Sequence, residues 1–436
     1  VKFSRPLQFL AGLFVALTIA TLLDVTSTSK NYSESFPAVV CPPTLPGLAS
    51  QVSFSSRKTQ FQRLQDRSTK TLPVKVLRLP VIKDSLVING NGSTPVVWQS
   101  RTGSWAGGTL CSGPAASQWF VGASADLTSR GRLIIVNSGL SSAVVDIQAY
   151  TENGKQPLKT ISVAAKNFAN LSVVTFAPGD KTLALHVIAR SGRINSFVID
   201  EQVKGLKTLG GDIVNPIEFA AKEFVIPAIP NQLARNSRTP ASAHTLRILT
   251  PGEIDANVTV EVVSADGVFI PVGFNSRSIS AGIVTEFSLA PNISATAFAL
   301  RVKSSEPIVV SVQSSVVVSG RSDFAWITPA PALTPLVMAI TGLSPQVVFA
   351  GEKIAVALEV TLINGDVIRR NITGTDIATW RAPANARSFS ITQSSNSTYA
   401  GALVSSVNGY GYFPIQPGSV LTKIEKPASN IRVLNP

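Results

Sequence analysis

Val258-Thr259-Val260-Glu261-Val262-Val263, followed closely by Asp266-Gly267, decides the fold class of this chain. Branched apolar residues alternate with polar ones at period 2, the pattern of a strand with one buried face. An Asp-Gly pair then supplies the positive backbone φ that a tight reversal needs. The same device occurs twice more. Val145-Asp146-Ile147-Gln148-Ala149-Tyr150 precedes Asn153-Gly154, and Ala357-Leu358-Glu359-Val360-Thr361-Leu362 precedes Asn364-Gly365. The three turn glycines are separated by 113 and then 98 positions.

Working outward from these strands, each copy carries further matching pieces. An aromatic strand opens it: Gln118-Trp119-Phe120-Val121, Glu223-Phe224-Val225-Ile226 or Asp323-Phe324-Ala325-Trp326. A strand ending in Ala-Pro follows the turn, at Thr175-Phe176-Ala177-Pro178, Glu286-Phe287-Ser288-Leu289-Ala290-Pro291 and Thr379-Trp380-Arg381-Ala382-Pro383. A strand pair closes the copy, 183–189 with 195–199, 297–302 with 308–313, and 388–392 with 401–406. A repeat of about 100 residues is the size of one β-sandwich and too long for a propeller blade or solenoid unit. The expected fold is therefore all-β, with tandem immunoglobulin-like β-sandwich units. The expected boundaries are 41–215 for N-terminal strands plus the first unit, 216–320 for the second, and 321–436 for the third with a C-terminal tail. Residues 41–114 lack a clean copy of the pattern. They read as extra strands completing the first unit, or as a fourth small domain.

Ahead of this body, Lys2 and Arg5 precede an uncharged run from Leu7 to Leu23, closed by Asp24. A basic flank and an apolar core make residues 1–24 a signal anchor or a cleaved signal peptide, with 25–40 as a polar stalk. A first residue of Val is what a literally translated GTG start codon of a bacterial gene would give. The body is then expected outside the cytoplasmic membrane, attached through residues 7–23 or secreted. Two cysteines, Cys41 and Cys111, fit that compartment as a disulfide; two unrelated buried thiols are the alternative.

Of 436 residues 44% are hydrophobic and only 14% charged, against a usual charged share of about a quarter, which excludes disorder. The net charge of +13 is concentrated in one place. Arg57, Lys58, Arg63, Arg67, Lys70, Lys75, Arg78, Lys83 and Arg101 face only Asp66 and Asp84 between residues 51 and 101. The first eight are candidate contacts for an envelope polyanion, and a solvated basic face is the plainer alternative. No nucleic-acid module is present. Trp98, Trp105, Trp119, Trp326 and Trp380 invite a sugar-stacking reading. Trp119 and Trp380 are expected in cores, whereas Trp105, in Gly103-Ser104-Trp105-Ala106-Gly107-Gly108, is the candidate exposed platform.

No catalytic residue, metal site or cofactor is expected. His186 alternates with Leu185 and Val187 in an apolar strand, and His244 has no acid near it in sequence. A glycosidase would need two facing carboxylates. Asp200-Glu201 and Glu253 with Asp255 are the adjacent acids, and turn or edge positions suit them better.

The Cys41-Pro42, Cys111, Trp119-Phe120-Val121-Gly122 and Leu133-Ile134-Ile135-Val136-Asn137-Ser138 segments together resemble a family of uncharacterised secreted or membrane-anchored actinobacterial proteins. The resemblance spans most of the chain beyond the stalk; Ser138 stands where the family would have Pro. It implies location and architecture, and no activity. The expected function is a non-enzymatic extracytoplasmic cell-envelope protein, a scaffold for a cell-wall polymer or an envelope protein. The alternative is a polysaccharide-binding module, or the accessory part of a carbohydrate-active enzyme.

Overall fold

A computed structural model of the chain describes residues 10–19, 32–56, 58–66, 68–72, 77–90, 92–205, 207–234, 241–419 and 424–427. It is all-β and divides into two units, one made of the chain ends (1–36 with 423–436) and a body from Pro37 to Thr422. In the terminal unit, residues 10–19 are helical. Residues 7–9 and 20–23 of the expected membrane segment lie outside the described residues. Among the described residues no helix is long and apolar enough to cross a membrane.

The body begins with the end of β1 (Tyr32–Cys41), then β2 (Ala49–Ser53), β3 (Gln60–Arg63), β4 (Lys70–Thr71), β5 (Arg78–Val81), β6 (Leu86–Gly90), β7 (Ser93–Arg101) and β8 (Trp105–Leu110). Val52, Phe54, Phe61, Leu86, Ile88 and Val97 form a small core around the Cys41–Cys111 disulfide.

The first repeat follows as β9 (Ser117–Val121), β10 (Arg132–Asn137), β11 (Ala143–Thr151), β12 (Gly154–Lys155), β13 (Lys159–Val163), β14 (Asn167–Ser172), β15 (Ala184–Ser191), β16 (Ile194–Lys204) and β17 (Lys207–Val214). One sheet runs β12-β11-β15-β9, the other β14-β10-β16-β17. Val145, Ile147, Leu185 and Val187 of the first meet Leu133, Ile135, Val198 and Val214 of the second in one core. Period-2 alternation dictates this arrangement: Val145 and Ile147 point inward while Asp146 points out to Thr160 and Arg190.

The second repeat holds β18 (Ala221–Pro230), β19 (His244–Leu249), β20 (Ala256–Ser264), β21 (Gly267–Phe269), β22 (Arg277–Ile279), β23 (Val284–Leu289), β24 (Ala297–Val318) and β25 (Arg321–Ile327). The third holds β26 (Leu336–Ala339), β27 (Gln346–Leu362), β28 (Val367–Arg381), β29 (Ala386–Ser394), β30 (Tyr399–Ser405) and β31 (Tyr410–Pro414). Pairing is the same in all three. The β12-β11-β15-β9 order recurs as β21-β20-β24-β18 and β28-β27-β29-β26, and β14-β10-β16-β17 as β23-β19-β24-β25 and β28-β27-β30-β31. Strands separate in the first repeat have fused in the others. β24 crosses between sheets near Ser304–Pro307, where buried positions give way to exposed ones, and β27 crosses at a register shift between Gly351 and Ile354. The turn glycines Gly154, Gly267 and Gly365 all take positive φ, at 99°, 123° and 105°.

Three expectations change. Asp323-Phe324-Ala325-Trp326 does not open the third repeat. It lies in β25, which pairs with β24 as the last strand of the second, and β26 is the true counterpart of β9 and β18. The strands of 41–114 do not extend a sheet of the first repeat. Instead β7 pairs in parallel with β26, Ser93 opposite Val337, while side chains such as Trp105, Val40 and Leu64 pack on the outer face of the first repeat. Thr175-Phe176 is no strand either: Val173–Thr175 forms a 3-10 turn before Pro178. The order also departs from the immunoglobulin arrangement, in which the last strand neighbours the sixth. Here the first strand of each repeat takes that place, and β16, its counterparts included, lies beside β10. In the terminal unit, β32 (Ile424–Pro427) pairs antiparallel with the start of β1, Pro427 opposite Tyr32.

Candidate functional site

The last strands of the repeats, β17, β25 and β31, pack together with β8 in the centre of the body. Glycines permit this. A Cβ on Gly411 would sit 2.8 Å from the Cα of Gly107, and one on Gly211 would sit 2.8 Å from the Trp105 ring. Side-chain amides and carboxylates hold the junction. Asn215 Nδ2 donates at 3.1 Å both to Gly108 O on β8 and to Tyr412 O on β31. Asp323 accepts backbone N–H groups from all four strands: Gly211 at 3.1 Å, Phe324 at 2.9 Å, Tyr410 at 3.2 Å, and Ala106.

Two more carboxyls are sealed beside it. Trp326 Nε1 donates to Asp200 Oδ2 at 2.9 Å, and Trp326 N donates to Asp212 Oδ2 at 2.7 Å. Both acids are fully buried, and their Oδ1 atoms make no hydrogen bond among the described residues. Burial pushes Asp200 up to about 6 and Asp323 up to about 7. It pushes Asp212 well above the ordinary carboxylate range, with Asp323 and Asp200 nearby adding to the rise. Arg247 is the cation that acts on Asp200. Its guanidinium lies 4.7 Å from the centre of the Trp326 ring, pairs with Glu286 at 2.7 Å, and donates to Ala123 O and Leu183 O of the first repeat. The arrangement binds repeats to one another through charge-assisted and indole hydrogen bonds. Among the described residues no three His, Cys, Asp or Glu side chains are grouped to hold a metal ion.

Trp105 overturns its expected role. Its side chain is fully buried, because Gly211 and the outer face of the first repeat close over it, so no sugar can stack there. Trp98, Trp119 and Trp326 are buried too, and Trp380 is half-buried against Phe389. Of the adjacent acids, Asp200 is enclosed, Glu201 pairs with Arg101 at 2.9 Å, and exposed Asp255 accepts the N–H of Ala281. His186 stacks on Trp119 at 3.8 Å and meets Ser117 Oγ at 2.8 Å; His244 meets Ser314 Oγ at 2.8 Å. Desolvation lowers both imidazoles to about 4, and among the described residues no acid bonds to either ring.

The candidate polyanion contacts are scattered over several elements. Lys58 and Lys83 are exposed in turns, and exposed Lys70 pairs with Asp66 at 3.2 Å. Arg63 donates to Ile82 O at 3.1 Å, and half-buried Arg78 donates to Gly342 O in the third repeat at 3.1 Å. Arg57, Arg67 and Lys75 lie outside the described residues. Cys41 and Cys111 are joined, a bond that fits an oxidising, extracytoplasmic compartment.

Sequence reasoning passed over Asp212, Asp323 and Arg247. Their signal was the glycine pairs Gly107-Gly108 and Gly210-Gly211, which mark close backbone approach rather than loose loops.

No curated protein matches the chain. Among solved structures, Thermotoga maritima 1070 is similar at 12% identity over 25% of this chain and 93% of its own, with a TM-score of 0.22. A family model covers residues 93–365, from β7 through all of the first two repeats and into the third. On that match the chain belongs to a family of unknown function, DUF5719.

Proposed function

We propose that this protein is a non-enzymatic scaffold of the cell envelope, working outside the cytoplasmic membrane and presenting strand edges and loops to a wall polymer or an envelope protein. The observation that carries the reading is the buried junction at Asp323, which ties β8, β17, β25 and β31 into one body without a cleft at the acids. Such a body holds its outer surfaces at fixed separations, which a scaffold requires. The Cys41–Cys111 bond supports the compartment. Membrane attachment through residues 7–23 and an actinobacterial source are parts of the same proposal.

The test is co-sedimentation of the full chain, in detergent, with purified cell wall at low and high salt. Binding that weakens with salt supports a polymer contact through basic residues, because screening acts on exposed charges. A chain that stays in the supernatant at every salt concentration, and copurifies with no envelope protein after crosslinking in cells, overturns the scaffold reading.

A further inference from the structure

A second feature lies on the outer face of the first repeat, away from the buried acids. Arg101, Arg130 and Arg132 line a groove of about 370 Å³ together with Glu201, over an apolar floor that includes Leu48 and Ile199. The placement follows from Ser129-Arg130-Gly131-Arg132 at the entrance to β10. A Cβ on Gly131 would lie 2.7 Å from Val173 Cγ2, so this inward position has room only for glycine. Arg130 and Arg132, two apart, then share the opposite, outer face. Both are exposed, and neither side chain makes a hydrogen bond or ion pair among the described residues. Arg101 is fixed differently: Glu201 grips its guanidinium through two oxygens, with Nη2 to Oε2 at 2.9 Å.

Three guanidinium groups thus face one carboxylate, and two of them stand side by side without a counter-charge. Like charges held together on one sheet face oppose each other unless an anion joins them. Guanidinium forks match the paired oxygens of phosphate and carboxylate groups. The volume falls in the lower range of small-ligand sites, roughly 300–1,000 Å³. The apolar floor suits a ring or polyol carbon chain beside the charge.

We propose that this groove is a binding site for the anionic oxygens of a phosphate or carboxylate borne on a sugar- or polyol-sized unit. Arg130 and Arg132 contact the anion directly, while Glu201 holds Arg101 and limits its share. The ligand class is set by these residues alone and does not depend on the scaffold role.

Calorimetric titration of the full chain with glycerol 3-phosphate and with galacturonate, at low salt, tests it, with glycerol and galactose as neutral counterparts. The expected result is binding of an anionic probe only. Preference for one of the two assigns the anion as phosphate or carboxylate. Arg130→Ala with Arg132→Ala should weaken binding roughly tenfold or more while leaving the melting temperature unchanged, since both side chains are exposed. Glu201→Gln should tighten it severalfold by releasing Arg101. Absence of binding by either anion, equal binding of the neutral probes, or undiminished binding to the double variant would overturn the proposal.

Discussion

Trp326 donates its indole N–H to Asp200 across 126 positions of sequence, joining the second repeat to the first with a bond wholly out of water. The partner carboxyl is held up to about 6, with Asp323 about 7 and Asp212 well above the usual range. A raised folded-state acid binds its proton more tightly than the unfolded chain does, so its stabilisation is complete below the unfolded value and is lost as pH rises through the folded one. The two histidines, lowered to about 4, work in the opposite sense between that value and about 6.5. Among the described residues, the buried acids are the groups that act between pH 6.5 and 8.5. Melting temperature should therefore fall between pH 6.5 and 8.5. Asp212→Asn keeps an oxygen for the Trp326 N–H and should flatten that fall. A flat profile in the unaltered protein would remove the buried acids from the account.

The glycine contacts in the central junction give a second prediction. Gly411→Ala would place a methyl 2.8 Å from Gly107 Cα and 2.9 Å from Gly108 N, backbone that cannot swing aside. A loss of about 1–3 kcal/mol is expected from overpacking. Gly252→Ala, with nothing within 4 Å, should change stability by about 0.5 kcal/mol at most. Urea melts of the two variants make the comparison.

Arg247 should be the costliest single cation to remove. It is buried, paired with Glu286, and donates to two carbonyls of the neighbouring repeat. Arg247→Met takes the cation from Glu286 and a donor from Ala123 O, while Leu183 O keeps the Gly122 N–H, at a cost of about 3 kcal/mol. Arg369→Met removes a cation from an exposed pair with Glu359 and should cost under about 1 kcal/mol. Equal effects in chemical denaturation would contradict this ranking.

Reduction supplies a fourth. Cys41 and Cys111 close a loop with a sequence separation of 70, worth about 4 kcal/mol on the chain-entropy model. Cys41→Ala with Cys111→Ala should lower stability by about that much. The oxidised protein should unfold at lower denaturant when a reductant is present, whereas the double variant should not respond to it.

The repeats were legible because Val258, Val260 and Val262, like Val145 and Ile147, obey period 2 and end at glycines with positive φ. The disulfide was legible from an even cysteine pair. Register across repeats was not. Phe324 and Trp326 matched Trp119 and Phe120 as aromatic strands, but composition does not say which neighbour a strand pairs with, and β25 closes a repeat instead of opening one. Trp105 was misread for a related reason. Glycine beside an aromatic reads as an exposed loop when only local sequence is considered, yet Gly107 and Gly108 admit β17 and β31 against β8, and Gly211 of β17 lies on the ring. Asp212 and Asp323 carry no motif beyond those neighbouring glycine pairs, since the strands they tie together lie more than 80 residues apart.

The parallel pairing of β7 with β26 has a bearing on assembly. A chain of like sandwiches invites a further copy, from the same or another molecule, to add itself at an open sheet edge. At β26 that edge is already filled by Ser93, Thr94 and Pro95, and the proline offers no amide of its own. The N-terminal strands thus move the open edge of this sheet from β26 to β5, a short strand in which Pro80 removes one more amide from the pairing side.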